Sequence, residues 1–201
     1  MRELSLHILD VLENALEAGA TNVELEIDED LHADRLMIAV RDNGRGMDCQ
    51  TARRALDPFF TTRTTRHVGL GLPLFAAAAR RCDGDLRLES APGRGTTVTV
   101  TFRHSHLDRA PLGDLTGTLL AFLLSERGAG LRFVYHHRVN SRSFDLDTAA
   151  VRVELGDIPL SHPLVREWLR DYIAEGEAEL VPALQGVIVE TQTERLEGEN
   201  P

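Results

Sequence analysis

The chain has 201 residues and carries 22 basic against 32 acidic side chains, a formal net charge of −10, with 42% hydrophobic and 27% charged residues. This composition fits a globular protein with its own core, excludes collagen-like, fibrous and disordered classes, and argues against broad electrostatic binding to nucleic acid or anionic membrane. Every basic residue is arginine, so mechanisms needing a lysine nucleophile, a Schiff base or a P-loop lysine are ruled out.

Apolar Leu6, Ile8, Leu9, Leu12, Ala15 and Leu16 recur at three-to-four spacing, which predicts a helix over 6–18 stopped by Gly19. Alternation over 23–28 and 36–42, separated by an acidic turn, predicts an antiparallel hairpin whose second strand runs into Asn43-Gly44. A helix over 51–56 ends at Pro58, and a polar stretch over 61–67 feeds Gly69-Leu70-Gly71 and an alanine-rich helix over 73–81. Strands over 85–90 and 96–102 follow, joined by the turn Ala91-Pro92-Gly93-Arg94-Gly95.

After residue 103 the composition shifts, and a boundary is expected there. Residues 104–190 read as a smaller α/β appendage: a helix over 115–124, strands over 131–139 and 144–146 around Asn140-Ser141, and a helix after Ser161-His162-Pro163. Residues 191–201 are expected to be a disordered tail. Residues 1–103 carry −3 of the charge and 104–201 carry −7. Cys49 and Cys82 have neither metal-ligand spacing nor a secreted disulfide pattern, and no stretch reaches the roughly 18 apolar residues of a membrane span. A cytoplasmic location, with no membrane and no nucleic-acid partner, is the expectation.

Four motifs stand in order: Asp10-Val-Leu-Glu-Asn14-Ala-Leu-Glu-Ala-Gly-Ala20 on a helix, Asp42-Asn-Gly44-Arg-Gly46-Met47 after a strand, Gly69-Leu70-Gly71-Leu72 opening a helix, and Gly93-Arg-Gly95-Thr96-Thr97 in a late hairpin. They resemble the N box and the three glycine boxes of the Bergerat-fold ATPases, the superfamily of gyrase B, the large heat-shock chaperones, sensor histidine kinases and mismatch-repair MutL. Asp57-Pro58-Phe59-Phe60 with its following threonines resembles the F box of the histidine-kinase branch. The resemblance covers residues 6–102 and implies an α+β sandwich, a mixed sheet covered by helices. Its implied cofactors are ATP and magnesium.

The chemistry suits these residue types. Asn14 offers a hard amide oxygen and, by resemblance, is the magnesium residue. The Asp42 carboxylate can accept a hydrogen bond from an adenine amino group while Gly44 and Gly46 let the base approach. Met47 and Leu72 are candidate pocket linings. Backbone N–H groups at Gly69, Leu70 and Gly71 meet a helix start, and Arg63 and Arg66 just before them are phosphate candidates. Thr97 matches a family residue that supports the nucleotide pocket. Asp10, one helical turn before Asn14, is the candidate general base.

By resemblance the chain is expected to lack its own phosphoacceptor helical hairpin, which precedes this domain in sensor kinases, and His7 is read as a helix residue. Two functions follow from the resemblance. One is an enzyme that hydrolyses ATP or transfers its γ-phosphate to a protein partner or phosphoacceptor in trans. The other is a nucleotide-gated interaction module, for which Trp168 and Tyr172 are a candidate docking face. A homodimer is left open.

Overall fold

A computed structural model describes residues 3–57 and 71–180. Its single sheet has six strands in the order β3-β4-β2-β1-β5-β6, with β1 (Asn22–Asp30), β2 (Arg35–Asp42), β3 (Leu86–Ala91), β4 (Gly95–Arg103), β5 (Arg132–Val139) and β6 (Arg142–Asp147). The β1–β5 pair is parallel and the others are antiparallel, so the sheet is mixed. Helices α1 (Leu4–Glu17), α3 (Gly71–Arg81), α4 (Leu115–Leu123) and α6 (Pro163–Leu180) pack as a layer, while α2 (Cys49–Arg54) lies by β3 and α5 (Thr148–Leu155) by β5.

Alternation decides which strand face is covered. Val23, Leu25 and Ile27 of β1 are fully buried, and the registers place Phe133 and Tyr135, Ile38 and Val40, and Val98 and Val100 beside them. The opposite face is polar. There Arg41 bonds Glu24 and Glu26, and Arg138 bonds Asp28.

Helix α1 buries Leu4, Ile8, Val11, Leu12 and Ala15. No side chain caps its start; instead the Leu4 and Ser5 N–H groups donate to the Pro111 and Leu112 carbonyls, which satisfies two orphan donors and ties the chain beyond 103 to the first helix. At its other end Gly19 takes φ +74, with Gly19 N–H donating to Leu16 O and Ala20 N–H to Ala15 O. That is a Schellman stop.

The boundary expected at 103 falls within one continuous body. Strand β5 lies against the central strand β1, and one hydrophobic cluster runs from Leu4 and Ile8 through Val100 and Phe102 to Leu119, Phe133 and Ile173. Each fully buried side chain of this kind contributes about 1.5–3 kcal/mol, so the two parts stabilise each other. Helix α5 was not expected from periodicity. Its cap explains it: Asp147, the last residue of β6, accepts from Ala149 N–H at 2.8 Å, and buried Thr148 takes the Phe133 N–H at 2.8 Å. Residues 181–201, and with them the expected tail, lie outside the described residues.

Candidate functional site

The candidate site lies where α1, the end of β2, the loop after it, the β3–β4 hairpin and the start of α3 converge. Asp42 ends β2 and stands opposite Val23 of β1 and Thr96 of β4. Its Oδ1 accepts the Gly44 N–H at 2.8 Å. Burial raises its pKa against the lowering effect of the Gly44 and Thr96 N–H groups, because a desolvated carboxylate favours its neutral form. Such a group gains by acquiring a hydrogen-bond donor.

The glycines after Asp42 are needed by the protein itself. A Cβ at Gly44 would lie 2.7 Å from the Ala18 Cβ and 2.9 Å from Asp42 Oδ1. At Gly46, with φ +65, it would overlap the Ala91 carbonyl oxygen, and at Gly95, with φ +79, the Asp42 carbonyl oxygen. Their bareness closes the loop onto α1 and the late hairpin. Hydrogen bonds finish the closure. Arg45 N–H donates to Ala18 O and its guanidinium to Glu17 O, while Gly93 N–H donates to Arg45 O.

Three residues to which the sequence alone assigns no role, Asn43, Ser90 and Thr96, tie together the segments around Asp42. Asn43 Oδ1 accepts the Thr21 and Asn22 N–H groups, each at 2.9 Å, which pins the end of β2 to the start of β1. Ser90 Oγ accepts the Met47 N–H at 2.8 Å, donates to Gly95 O and lies 3.0 Å from Thr96 Oγ1. Thr96 thus shares the Asp42 face. Thr97 does not: it pairs with Arg41 and Glu89 and, by strand alternation, faces the open side of the sheet. The signal that finds Thr96 is register counted from Asp42.

On α1, half-buried Asp10 and Asn14 are one turn apart. Helix α3 begins against them, since a Cβ built on Gly71 would stand 3.2 Å from the Asp10 Cβ and 3.4 Å from its Oδ2. One turn before Asp10 on α1 and one turn after Gly71 on α3, His7 stacks on Phe75 with ring centroids 4.9 Å apart and planes 3° apart. Burial pushes the His7 pKa down to about 4, as expected for a neutral packing group. Met47 and Leu72 are half-buried, Leu72 against the core. Arg63, Arg66, Gly69 and Leu70 lie outside the described residues.

The donor chemistry at Asn14 fits magnesium, which takes oxygen ligands and is usually completed by waters and phosphates rather than by an all-protein cage. Among the described residues no group of three or more His, Cys, Asp or Glu converges for a metal. No described helix is long and apolar enough to cross a membrane. The candidate docking aromatics are engaged with each other: Trp168 stacks on Tyr172 at 5.3 Å and Tyr172 meets Phe144 at 5.4 Å.

Residues 2–106 match the model of the histidine kinase-, DNA gyrase B-, and HSP90-like ATPase family. The chain is 45% identical over 93 residues to the sensor protein kinase FleS of Pseudomonas aeruginosa, covering 46% of this chain and 23% of that one. It is 35% identical over 94 residues to the signal transduction histidine-protein kinase AtoS of Escherichia coli, covering 46% of this chain and 15% of the kinase. It therefore spans less than a quarter of either kinase. Among solved structures, the N-terminal domain of a DNA repair protein superposes with a TM-score of 0.49 at 16% identity, covering 73% of this chain and 52% of that one.

Proposed function

Because the chain belongs to the histidine kinase-, DNA gyrase B-, and HSP90-like ATPase family, we propose that it binds ATP with magnesium and passes the γ-phosphate to water or to a side chain of a protein partner in trans. The observation that carries this reading is the seat of Gly71 on Asp10. The first turn of α3, whose N–H groups have no partner within the helix, begins beside a carboxylate that lies one turn from Asn14. A helix start of this kind suits phosphate oxygens, and Gly69, Leu70, Arg63 and Arg66 precede it in the chain.

The roles divide along the site. Asp42 selects adenine by accepting from its amino group, next to Met47 and Leu72, with Thr97 kept as a family-derived candidate beside the better-placed Thr96. Asn14 would hold magnesium, which when bound neutralises charge on the phosphates. Asp10 would accept a proton from the attacking water or hydroxyl.

The test is Asp10→Asn. Binding of ATP–magnesium in calorimetry should persist while turnover falls by about 10²-fold or more, the usual scale for a lost general base. Unchanged turnover removes Asp10 from the mechanism. Transfer of γ-labelled phosphate to added candidate partners separates kinase from ATPase. If ATP binds but neither reaction occurs, the nucleotide-gated module replaces the enzyme reading; no binding at millimolar ATP sinks both.

A further inference from the structure

The clearest unused feature is a groove of about 510 Å³ between α4 and α6. Leu120, Ala121 and Leu124 line it from the α4 side beside polar Thr116, and Arg166 and Arg170, one turn apart, line it from α6. Asp114 lies at one end, where its Oδ1 is committed to the Gly117 N–H at 2.7 Å as the cap of α4.

Most arginines among residues 104–180 are bonded through their guanidinium groups, these two and Arg127 excepted. Residues 104–201 carry −7, yet among the described residues no carboxylate pairs with Arg166 or Arg170. By contrast Arg132 and Arg138 bond carboxylates, and Arg109, Arg142 and Arg152 bond backbone carbonyls. Like charges at i and i+4 repel, so the pair costs the isolated helix a few tenths of a kcal/mol. Apolar side chains beside two arginines, with the single Asp114 carboxylate at one end, leave a net positive groove that matches an amphipathic helix whose apolar stripe is flanked by carboxylates. Helix α4 also packs on α1, which carries Asp10 and Asn14, so a helix held there sits one layer element from the nucleotide residues.

We propose that this groove docks an acidic amphipathic helix of a partner protein, with Leu120 and Leu124 taking its apolar stripe and Arg166 and Arg170 its carboxylates. The proposal names the chemistry of the partner acting in trans and rests on that reading only for what docking achieves.

The probe is a synthetic helix of about 18 residues with leucines at three-to-four spacing and glutamates along one flank, alongside a counterpart with every glutamate replaced by arginine. Titrated into the full chain, the acidic helix should shift the amide resonances of 117–125 and 164–171 and bind at least about tenfold more weakly when salt rises from roughly 0.05 to 0.5 M. In R166E/R170E, acidic-helix affinity should fall at least about tenfold and the arginine counterpart should gain, with ATP affinity unchanged. Equal binding by wild type and variant, or resonance shifts elsewhere, overturns the proposal. So does binding that emerges only after Glu190, Glu194, Glu197 and Glu199 are all changed to Gln, which would assign the groove to the chain's own acidic residues. A wild-type chain that binds the acidic helix but not ATP would overturn the nucleotide reading and leave the groove standing.

Discussion

His137 of β5 points its Nδ1 at Glu177 Oε2 of α6, 2.9 Å away, while its Nε2 lies 3.1 Å from Glu29 Oε1 of β1. An imidazole between two carboxylates is held with both nitrogens protonated. Around it Tyr135 donates to Glu177 at 2.6 Å, and His104 Nε2 lies 2.6 Å from the other oxygen of Glu29. The network fastens α6, β5, β1 and the segment after β4 to one another.

The first prediction follows from its titration. Burial alone lowers the His137 pKa, but hydrogen bonds and charge from Glu177 and Glu29 more than offset this and raise it to about 9. A histidine with a raised folded pKa contributes stability that is complete below its unfolded value of about 6.5 and lost as pH rises through 9. Glu29, held below its ordinary value by His137 and His104 despite its burial, loses its contribution at acid pH. Urea midpoints should therefore decline from near pH 6.5 toward pH 9. His137→Gln should cost about 1.5–3 kcal/mol by leaving two partly buried carboxylates without their charged donor and should flatten that decline. A parallel decline in the variant would assign it to other groups.

Asp42 behaves in the opposite sense. Its pKa is raised by burial, so its ionised form opposes folding at neutral pH, the group being more easily ionised in the unfolded chain. Asp42→Asn keeps an oxygen for the Gly44 N–H and should leave the thermal midpoint unchanged or higher. Replacing a charged acceptor forfeits about 1.5–3 kcal/mol, so ATP affinity should fall roughly 10- to 150-fold. A variant that is destabilised and binds ATP normally would refute the assignment.

The order of elements was legible because periodicity switches cleanly between α1, the β1–β2 hairpin and α3, with Asp10 and Asn14 on one face of α1 and Asp42 at the end of β2. What escaped was set by long-range pairing. Composition changes after Arg103, yet β5 enters the sheet beside β1, and no local signal reports a parallel partner about a hundred residues away. Likewise Thr96 and Thr97 are equivalent until the register with Asp42 decides which faces the site. Asn43 and Ser90 act through backbone groups far off in sequence.

Two glycines with similar backbone angles should respond differently to alanine. Gly19 (φ +74) has open space where a Cβ would go, whereas at Gly95 (φ +79) that atom would overlap the Asp42 carbonyl. Gly19→Ala should cost about 1–2 kcal/mol, the left-handed strain alone. Gly95→Ala must also displace the end of β2, so its loss should exceed that of Gly19→Ala in denaturant titrations and should weaken ATP binding. Equal costs would mean that the hairpin yields without moving Asp42.

The register itself can be tested at the adjacent threonines. Thr96 lies on the Asp42 face with its Oγ1 3.0 Å from Ser90 Oγ, which holds the Met47 N–H and Gly95 O, whereas Thr97 stands between Arg41 and Glu89 on the open face. Valine keeps the shape and removes the hydroxyl. Thr96→Val should lower ATP affinity by roughly fivefold, the worth of about one hydrogen bond near 1 kcal/mol, while Thr97→Val should leave affinity within about twofold of the parent. Calorimetric titration of both variants decides between them: a larger loss at Thr97 would move the nucleotide pocket to the other side of the hairpin and overturn the placement of Thr96.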